Sequence, residues 1–376
     1  MNGPRIAVVC PRLQLPDAVG YDVMHQVRVL REAGYDARAF AESASAATPA
    51  GTLRDVRSFL KAREDVLLYH YSVHAGAIFE LWRELNCCRI LRYHNVTPPH
   101  FFEPYDRGYT KALRAGREML AAHLATGVDL VISASRENLT DVLEVGTDPA
   151  ICAIVPPFHR VPELLAGDPD PDWLIQLGPE FNRPIRNLLA VGRIVPNKGY
   201  AALLRGFAAL KNPPARLILV GGQNPRLSTY YRELRSIIEE TRIASRVWLP
   251  GSVSLAALRA MYRRADLLVT TSEHEGFCLP LLEAMAHGVP IAALGRAAIP
   301  ETLGDAGLLL DSSEPEYLSA AFEKLLSQPE LCQKLGANGR ARYAAHFTNE
   351  TIAKTLLSAL NDYATHRTAY RSSPAQ

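Results

Sequence analysis

The stretch that most constrains this chain lies between Asp266 and Leu294. Asp266-Leu267-Leu268-Val269-Thr270-Thr271 is a short apolar run with β-branched residues, the signature of a buried strand. Gly276 and Pro280 forbid its continuation. Pro280 suits the start of a helix, Leu281, Leu282, Ala284 and Met285 supply its apolar face, and Gly288 followed by Pro290 stops it. A second strand, Pro290 to Leu294, begins at once. Strand, loop, helix and strand in this order make a βαβ unit of a parallel sheet, whose ligand crevice lies at the carboxyl ends of the strands. The loop from Ser272 to Leu279 is therefore placed where ligands bind.

Glu275 and Glu283 flank that loop and the helix start, with seven residues between them. The backbone amides from Gly276 to Leu279 lead into a helix N-terminus, whose partial positive charge and unpaired N–H groups suit a phosphate or an anionic leaving group. Two separated carboxylates could grip two sets of hydroxyls. Taken alone, both glutamates read more readily as solvated residues that favour a helix N-terminus.

At 376 residues the chain exceeds what one core usually absorbs, so two domains are expected. Charges of both signs nearly balance at a net +2, which gives no case for nucleic acid. Cys10, Cys87, Cys88, Cys152, Cys278 and Cys332 show neither metal-site spacing nor the density of a secreted disulfide scaffold. That usage fits a reducing cytoplasm. No basic segment followed by a long apolar core opens the chain, and no apolar run reaches membrane-spanning length, so any membrane contact would be peripheral.

Arg5 to Cys10 reads as the first strand of a doubly wound sheet, and Val23, Val27 and Leu30 recur at helical spacing after it. Gly20 falls at the strand-to-helix turn, where a glycine serves either close approach to a diphosphate or the turn alone. Ala41 to Gly51 reads as a loop. Val66 to Ser72 and Arg89 to Tyr93 are further strands, and His94 follows the second at the sheet end where a site would lie, with a satisfied structural histidine as the other reading. Aromatic residues and cations from Phe101 to Thr126 fit a basic amphipathic helix on an anionic membrane, or a solvated helix face. Residues 159–186 are rich in proline and acidic residues and read as a linker. The Asp168-Pro169-Asp170 string within it adjoins no strand, and no metal is implied.

Asn187 to Gly192 opens the second half, and Gly192 and Gly199 bracket a loop that displays Arg193 and Lys198. A guanidinium fork and a mobile ammonium together would offset the charge on a departing diphosphate. Taken alone, the loop is also an ordinary basic turn.

The strings E-G-F-C-L-P-L-L-E-A-M-A-H-G-V-P and G-R-I-V-P-N-K-G, in this order, resemble the E-x7-E and G-R-x4-K-G elements of the retaining GT-B glycosyltransferases often called family four. The resemblance implies an α/β fold of two Rossmann-like, doubly wound parallel-sheet domains facing a cleft. The expected division is an acceptor-side domain at 1–158, a linker at 159–186, a nucleotide-sugar domain at 187–345, and a C-terminal helix at 346–376 crossing back to the first domain, with its end from Arg371 frayed. It implies transfer of a hexose or deoxyhexose from a nucleoside diphosphate sugar to an acceptor hydroxyl, with retention, no metal and no cofactor. By the same resemblance Arg193 and Lys198 hold the diphosphate, Glu283 the ribose, and Glu275 with the backbone of Gly276, Phe277, Cys278 and Leu279 the sugar. His94 lines the donor sugar, Gly251, Ser252 and Val253 meet the base, and Ile299-Pro300-Glu301 forms a small loop beyond the sugar. Two departures stand out: Cys278 replaces the family's usual glycine, and Gly20 alone matches a turn that is usually richer in glycine. Tyr93 to Phe102, Y-H-N-V-T-P-P-H-F-F, is similar to a subgroup acting in bacterial surface polysaccharide assembly, which points to a saccharide or lipid-linked saccharide acceptor at the inner face of the membrane. A non-catalytic partner subunit, a nucleotide-sugar epimerase and a phosphorylase share the fold; the first has little need of both loops, and the others lack the motif pair.

Overall fold

The computed structural model describes residues 4–15, 17–45, 48–178 and 185–372, with side chains to residue 363. Residues 179–184 of the expected linker and 373–376 of the expected frayed end lie outside them. Strands and helices alternate, and two compact units result, each built on its own parallel sheet.

The first unit comprises the chain up to Pro99, Gly108–His159 and the chain from Thr348 onward. Its strands are β1 (Arg5–Leu13), β2 (Asp36–Ala44), β3 (Gly51–Thr52), β4 (Val66–Tyr71), β5 (Cys88–Tyr93), β6 (Leu130–Ser133) and β7 (Cys152–Ile154). They lie in the order β3-β2-β1-β4-β5-β6-β7, all pairs parallel. Helices cover both faces of such a sheet, so a central strand is apolar along its whole length; every residue of β4 is buried. Strand β2 runs on to Ala44, into the stretch that reads as loop, because β1 continues to Leu13 and pairs Arg12 with Ser43 and Leu13 with Ala44. Val23, Val27 and Leu30 of the helix Ala18–Glu32 pack on the sheet core with Val8, Leu68 and Ile90. Ile352, Leu356 and Leu360, four residues apart on the helix Asn349–Ser372, join the same cluster.

The second unit comprises His100–Arg107 and Arg160–Phe347. Its strands β8 (Arg186–Val191), β9 (Ala215–Val220), β10 (Val247–Gly251), β11 (Leu267–Thr270), β12 (Ile291–Leu294) and β13 (Leu308–Leu310) lie in the order β10-β9-β8-β11-β12-β13, again parallel. Leu189, Ile218 and Leu268 from the sheet meet Leu281 and Met285 of the helix Leu279–His287. Where a linker was expected, the chain forms the short helices Val161–Leu165 and Pro171–Gln176. Asp170 caps the second by accepting from the amides of Asp172 and Trp173. Arg259 ties the segment down through the carbonyls of Leu164, Glu163 and Asp168 at 2.5–2.8 Å. The Asp-Pro-Asp string therefore starts a helix.

In both sheets the order reverses once, between β1 and β4 and between β8 and β11. Loops that leave neighbouring strands in opposite directions open a crevice there, at the carboxyl ends. Among the described residues no helix is long and apolar enough to cross a membrane.

Candidate functional site

The reversal in the second sheet brings together the two loops that the sequence singles out. The loop after β8 carries Gly192 to Gly199, and the loop after β11 carries Thr271 to Cys278. They are bound to each other by hydrogen bonds onto their backbone carbonyls. Buried Asn197 donates its amide to the carbonyl of His274 at 3.0 Å, its own carbonyl accepts from the amide of Glu273 at 2.9 Å, and the Thr271 hydroxyl donates to the carbonyl of Gly199 at 2.9 Å. Gly199 has φ +67°, and a Cβ there would lie 2.1 Å from the Thr271 oxygen, so only glycine permits this approach. Lys198 and Glu275, each on one loop, are joined by an ion pair through the ammonium and the carboxylate. Arg193 projects from the first loop into solvent.

Cys278 sits at the junction of the second loop and the helix Leu279–His287 with φ +73°. A left-handed backbone is the conformation that glycine adopts at no steric cost, which explains the glycine usual at this place in the resembling sequences. The side chain is buried. Burial pushes its thiol well above the usual range, the Glu275 carboxylate that accepts its hydrogen bond adds to this, and Lys198 opposes it. It is a small packed group and not a nucleophile. The Thr302 hydroxyl, on the helix Ile299–Leu303, donates to the carbonyl of Phe277 at 2.9 Å and fixes the loop from behind.

Glu283, one turn into the helix Leu279–His287, is 6% exposed. Its Oε2 accepts from the Tyr262 hydroxyl at 2.7 Å, and Oε1 lies 3.7 Å from Nε of Arg160. Burial raises its pKa, against the lowering pull of Arg160 and Tyr262. Tyr262 and Arg160 are partners that sequence reasoning missed; nothing in the local pattern distinguishes an anchoring tyrosine from a core one. Gly251 ends β10 with φ +74°, and exposed Ser252 and half-buried Val253 follow it. A Cβ on Gly222, beyond β9, would lie 3.0 Å from the Ser252 hydroxyl, so the ends of these neighbouring strands converge.

In the first unit Gly20 is not in the turn. It lies in the first turn of the helix Ala18–Glu32, and a Cβ there would come 2.3 Å from the Gln14 carbonyl oxygen. Close packing of the loop on the helix start is what demands glycine. His94 follows β5 and belongs to a buried polar cluster at the reversal of the first sheet. Its Nε2 lies 2.9 Å from Nδ1 of His70 and 3.5 Å from Oδ2 of Asp22. Asp22 accepts from Nε of Arg92 at 2.9 Å and from the amide of Phe158 at 2.7 Å. Burial works against ionisation of Asp22, but Arg92 with the two histidines outweighs it and holds the carboxyl at about 2. Burial also drives His94 down to about 4 and His70 well below its ordinary value. Asp22, His70 and Arg92 went unread in the sequence, although an arginine and a histidine inside apolar strands are a usable signal, since buried ionisable groups require partners.

Two α/β units, each reversing its strand order where polar residues gather, make the two-domain Rossmann-like fold of the GT-B class. Residues 180–342 match the family model described as Glycosyl transferases group 1. That span holds Arg193, Lys198, Gly251 to Val253, Glu275 and Glu283; Gly20 and His94 lie outside it. The mannosylfructose-phosphate synthase of Agrobacterium fabrum is 32% identical over 178 residues, which are 46% of this chain and 39% of that protein. The D-inositol 3-phosphate glycosyltransferase of Corynebacterium jeikeium is 29% identical over 250 residues, 64% of this chain and 59% of that one. The chain thus spans less than two thirds of the length of these curated relatives. Among solved structures, that of Anabaena HepE in complex with UDP and glucose superposes with a TM-score of 0.77 over 96% of this chain and all of that one, at 15% identity.

Proposed function

We propose that this protein is a retaining, metal-independent glycosyltransferase of family four. It moves a hexose or deoxyhexose from a nucleoside diphosphate sugar, UDP- or GDP-linked, to a hydroxyl of a saccharide or lipid-linked saccharide. The acceptor belongs to cytoplasmic assembly of a surface polysaccharide, and membrane contact, where it occurs, is peripheral. The observation that carries this reading is the pair of locked loops at the reversal of the second sheet, which pairs Lys198 with the Glu275 carboxylate and exposes Arg193 on the same loop as Lys198, at the carboxyl ends of β8 and β11.

In this reading Arg193 takes phosphate oxygens with its fork, and Lys198 exchanges Glu275 for the diphosphate. The two cations then meet the charge that grows on the leaving group as the glycosidic bond breaks, a kind of stabilisation worth ~3 kcal/mol per donor in dry sites. Glu275, released by Lys198, accepts from sugar hydroxyls together with the backbone from Gly276 to Leu279. Glu283 accepts from the ribose, held in orientation by Tyr262, and Gly251 to Val253 border the base. The leaving phosphate helps to deprotonate the acceptor on the face from which it departs, so no separate general base is required.

The test is release of nucleoside diphosphate from a panel of UDP-, GDP- and dTDP-sugars with chelator present, for the wild type and for Lys198→Ala. Slow release from one donor that survives chelation and is lost in the variant is the expected result. Release that requires a divalent cation would overturn the metal-independent mechanism. Absence of both turnover and nucleotide binding would favour a non-catalytic partner subunit.

A further inference from the structure

The buried cluster around Asp22 is more elaborate than a structural ion pair needs to be. It joins residues from three elements: Asp22 and Gln26 on the helix Ala18–Glu32, His70 on β4, and Arg92 and His94 on and after β5. Asp22, Gln26, His70 and Arg92 are each no more than 1% exposed, and the His94 side chain is 9% exposed. Nδ1 of His70, Nε2 of His94 and Oδ2 of Asp22 face one another at 2.9, 3.5 and 3.6 Å. Three such atoms could close on a metal ion. Arg92 argues against that occupant: its guanidinium already bonds the same Asp22 oxygen and would set a cation against a cation in a buried site that screens charge poorly.

A proton fills the space instead, and the hydrogen bonds dictate where it resides. The Gln26 carbonyl oxygen, which can only accept, bonds Nε2 of His70, so that nitrogen carries a proton. A neutral His70 is then bare at Nδ1. The nitrogen opposite, Nε2 of His94, must donate to it, with the Asp22 carboxylate close to both. The two rings stack with centroids 5.0 Å apart, which fixes the plane of His94. This leaves Nδ1 of His94 bare as well.

Resting on the transferase reading, we propose that Gln26, His70 and Asp22 are positioning residues that set the tautomer of His94, so that it presents Nδ1 as a hydrogen-bond acceptor to a substrate hydroxyl. A ring so constrained selects a saccharide hydroxyl over a phosphate oxygen, which has no proton to give. Arg92 serves the same end by keeping Asp22 ionised and in place.

The experiment uses the full chain with nitrogen-15-labelled histidine, the His94 signals being assigned by their loss in His94→Gln. The expected wild-type spectrum shows His94 neutral, protonated at Nε2 and bare at Nδ1, from pH 6 to 8. Gln26→Leu removes the acceptor that orients the chain of bonds and should mix the two tautomers, whereas Gln26→Glu sets a carboxylate on Nε2 of His70, favours a proton on both of its nitrogens and should reverse the His94 tautomer, leaving Nδ1 protonated. In turnover, Gln26→Leu should lower kcat roughly tenfold, the worth of a misdirected hydrogen bond of ~1.4 kcal/mol. Affinity for nucleoside diphosphate should stay within about twofold in that variant, and Gln26→Glu should lower the rate at least as far, since it takes the acceptor from Nδ1 of His94. A proton on Nδ1 of His94 in the wild type, or a stoichiometric metal in the purified protein, would overturn the proposal. An unchanged kcat in Gln26→Leu alongside mixed tautomers would also overturn it. The expected spectrum with no donor turned over by the wild type would sink the transferase reading while leaving the tautomer assignment standing.

Discussion

Glu275 has two roles that pull against each other. Within the second unit it neutralises Lys198, with the two side chains 9% and 17% exposed. In the proposed reaction it must let go, because a carboxylate beside the diphosphate competes for the lysine and repels the phosphates. Removing its charge while keeping its shape separates the two roles. Glu275→Gln should bind the nucleoside diphosphate about fivefold more tightly, the value of a partly exposed ion pair of ~1 kcal/mol, and should lose transfer. Titration calorimetry with the diphosphate of the productive donor reads the first effect, and product release reads the second. Affinity that is unchanged or weaker in the variant would mean that Lys198 does not move between Glu275 and phosphate.

The helix Leu279–His287 starts under strain. Its N-terminal junction is Cys278, whose left-handed backbone penalises any side chain by ~1–2 kcal/mol relative to glycine. Cys278→Ala keeps that strain and discards the sulfur's packing, whereas Cys278→Gly removes the strain with it. The alanine variant should therefore be the less stable of the two by about 1 kcal/mol in urea unfolding; the reverse order would show that packing of the β-carbon outweighs the backbone term. This helix was legible in the sequence because Pro280, Gly288 and Pro290 punctuate an apolar run, and the loop between Gly192 and Gly199 was legible because two glycines bracket two cations. The strain at Cys278 was visible only as a departure from a familiar pattern, since φ is not written in residue types. The cluster around Asp22 was opaque for a different reason. Arg92 lies 70 residues from Asp22 and His94 lies 24 from His70, so only the sheet order, which sets β1 beside β4 and β4 beside β5, makes them neighbours. Gly20 shows the converse error, a glycine read as a turn residue that is needed for close packing inside a helix.

For the molecule as a whole, the two units should answer acid differently. In the first, burial lowers the pKa of His94 and His123 to about 4, of His70 well below its ordinary value, and of His74 in the same direction. The Asp22 carboxylate pulls the other way on His70 and His94, Arg92 adds to the lowering, and burial prevails. Each histidine takes up its proton at a lower pH in the folded unit than in the unfolded chain, where it does so near pH 6.5. The unfolded chain then binds more protons, so stability is lost as the pH falls from about 6.5 towards 4, by about 3 kcal/mol for His94 alone. Asp22, held at about 2, enters only below that window. In the second unit burial lowers His287, but it raises Glu283, whose proton is held more tightly folded than unfolded; acid therefore favours that fold through Glu283 and offsets His287. Tryptophans report the units separately, with Trp82 in the first and Trp173 and Trp248 in the second. Urea unfolding followed by Trp82 in a Trp173→Phe, Trp248→Phe background should show a midpoint that falls steeply between pH 7.5 and 5. The midpoint followed in Trp82→Phe should move much less. Equal shifts in the two reporters would mean that the buried histidines titrate near their ordinary value, and that the cluster holding His94 neutral opens well before the unit unfolds.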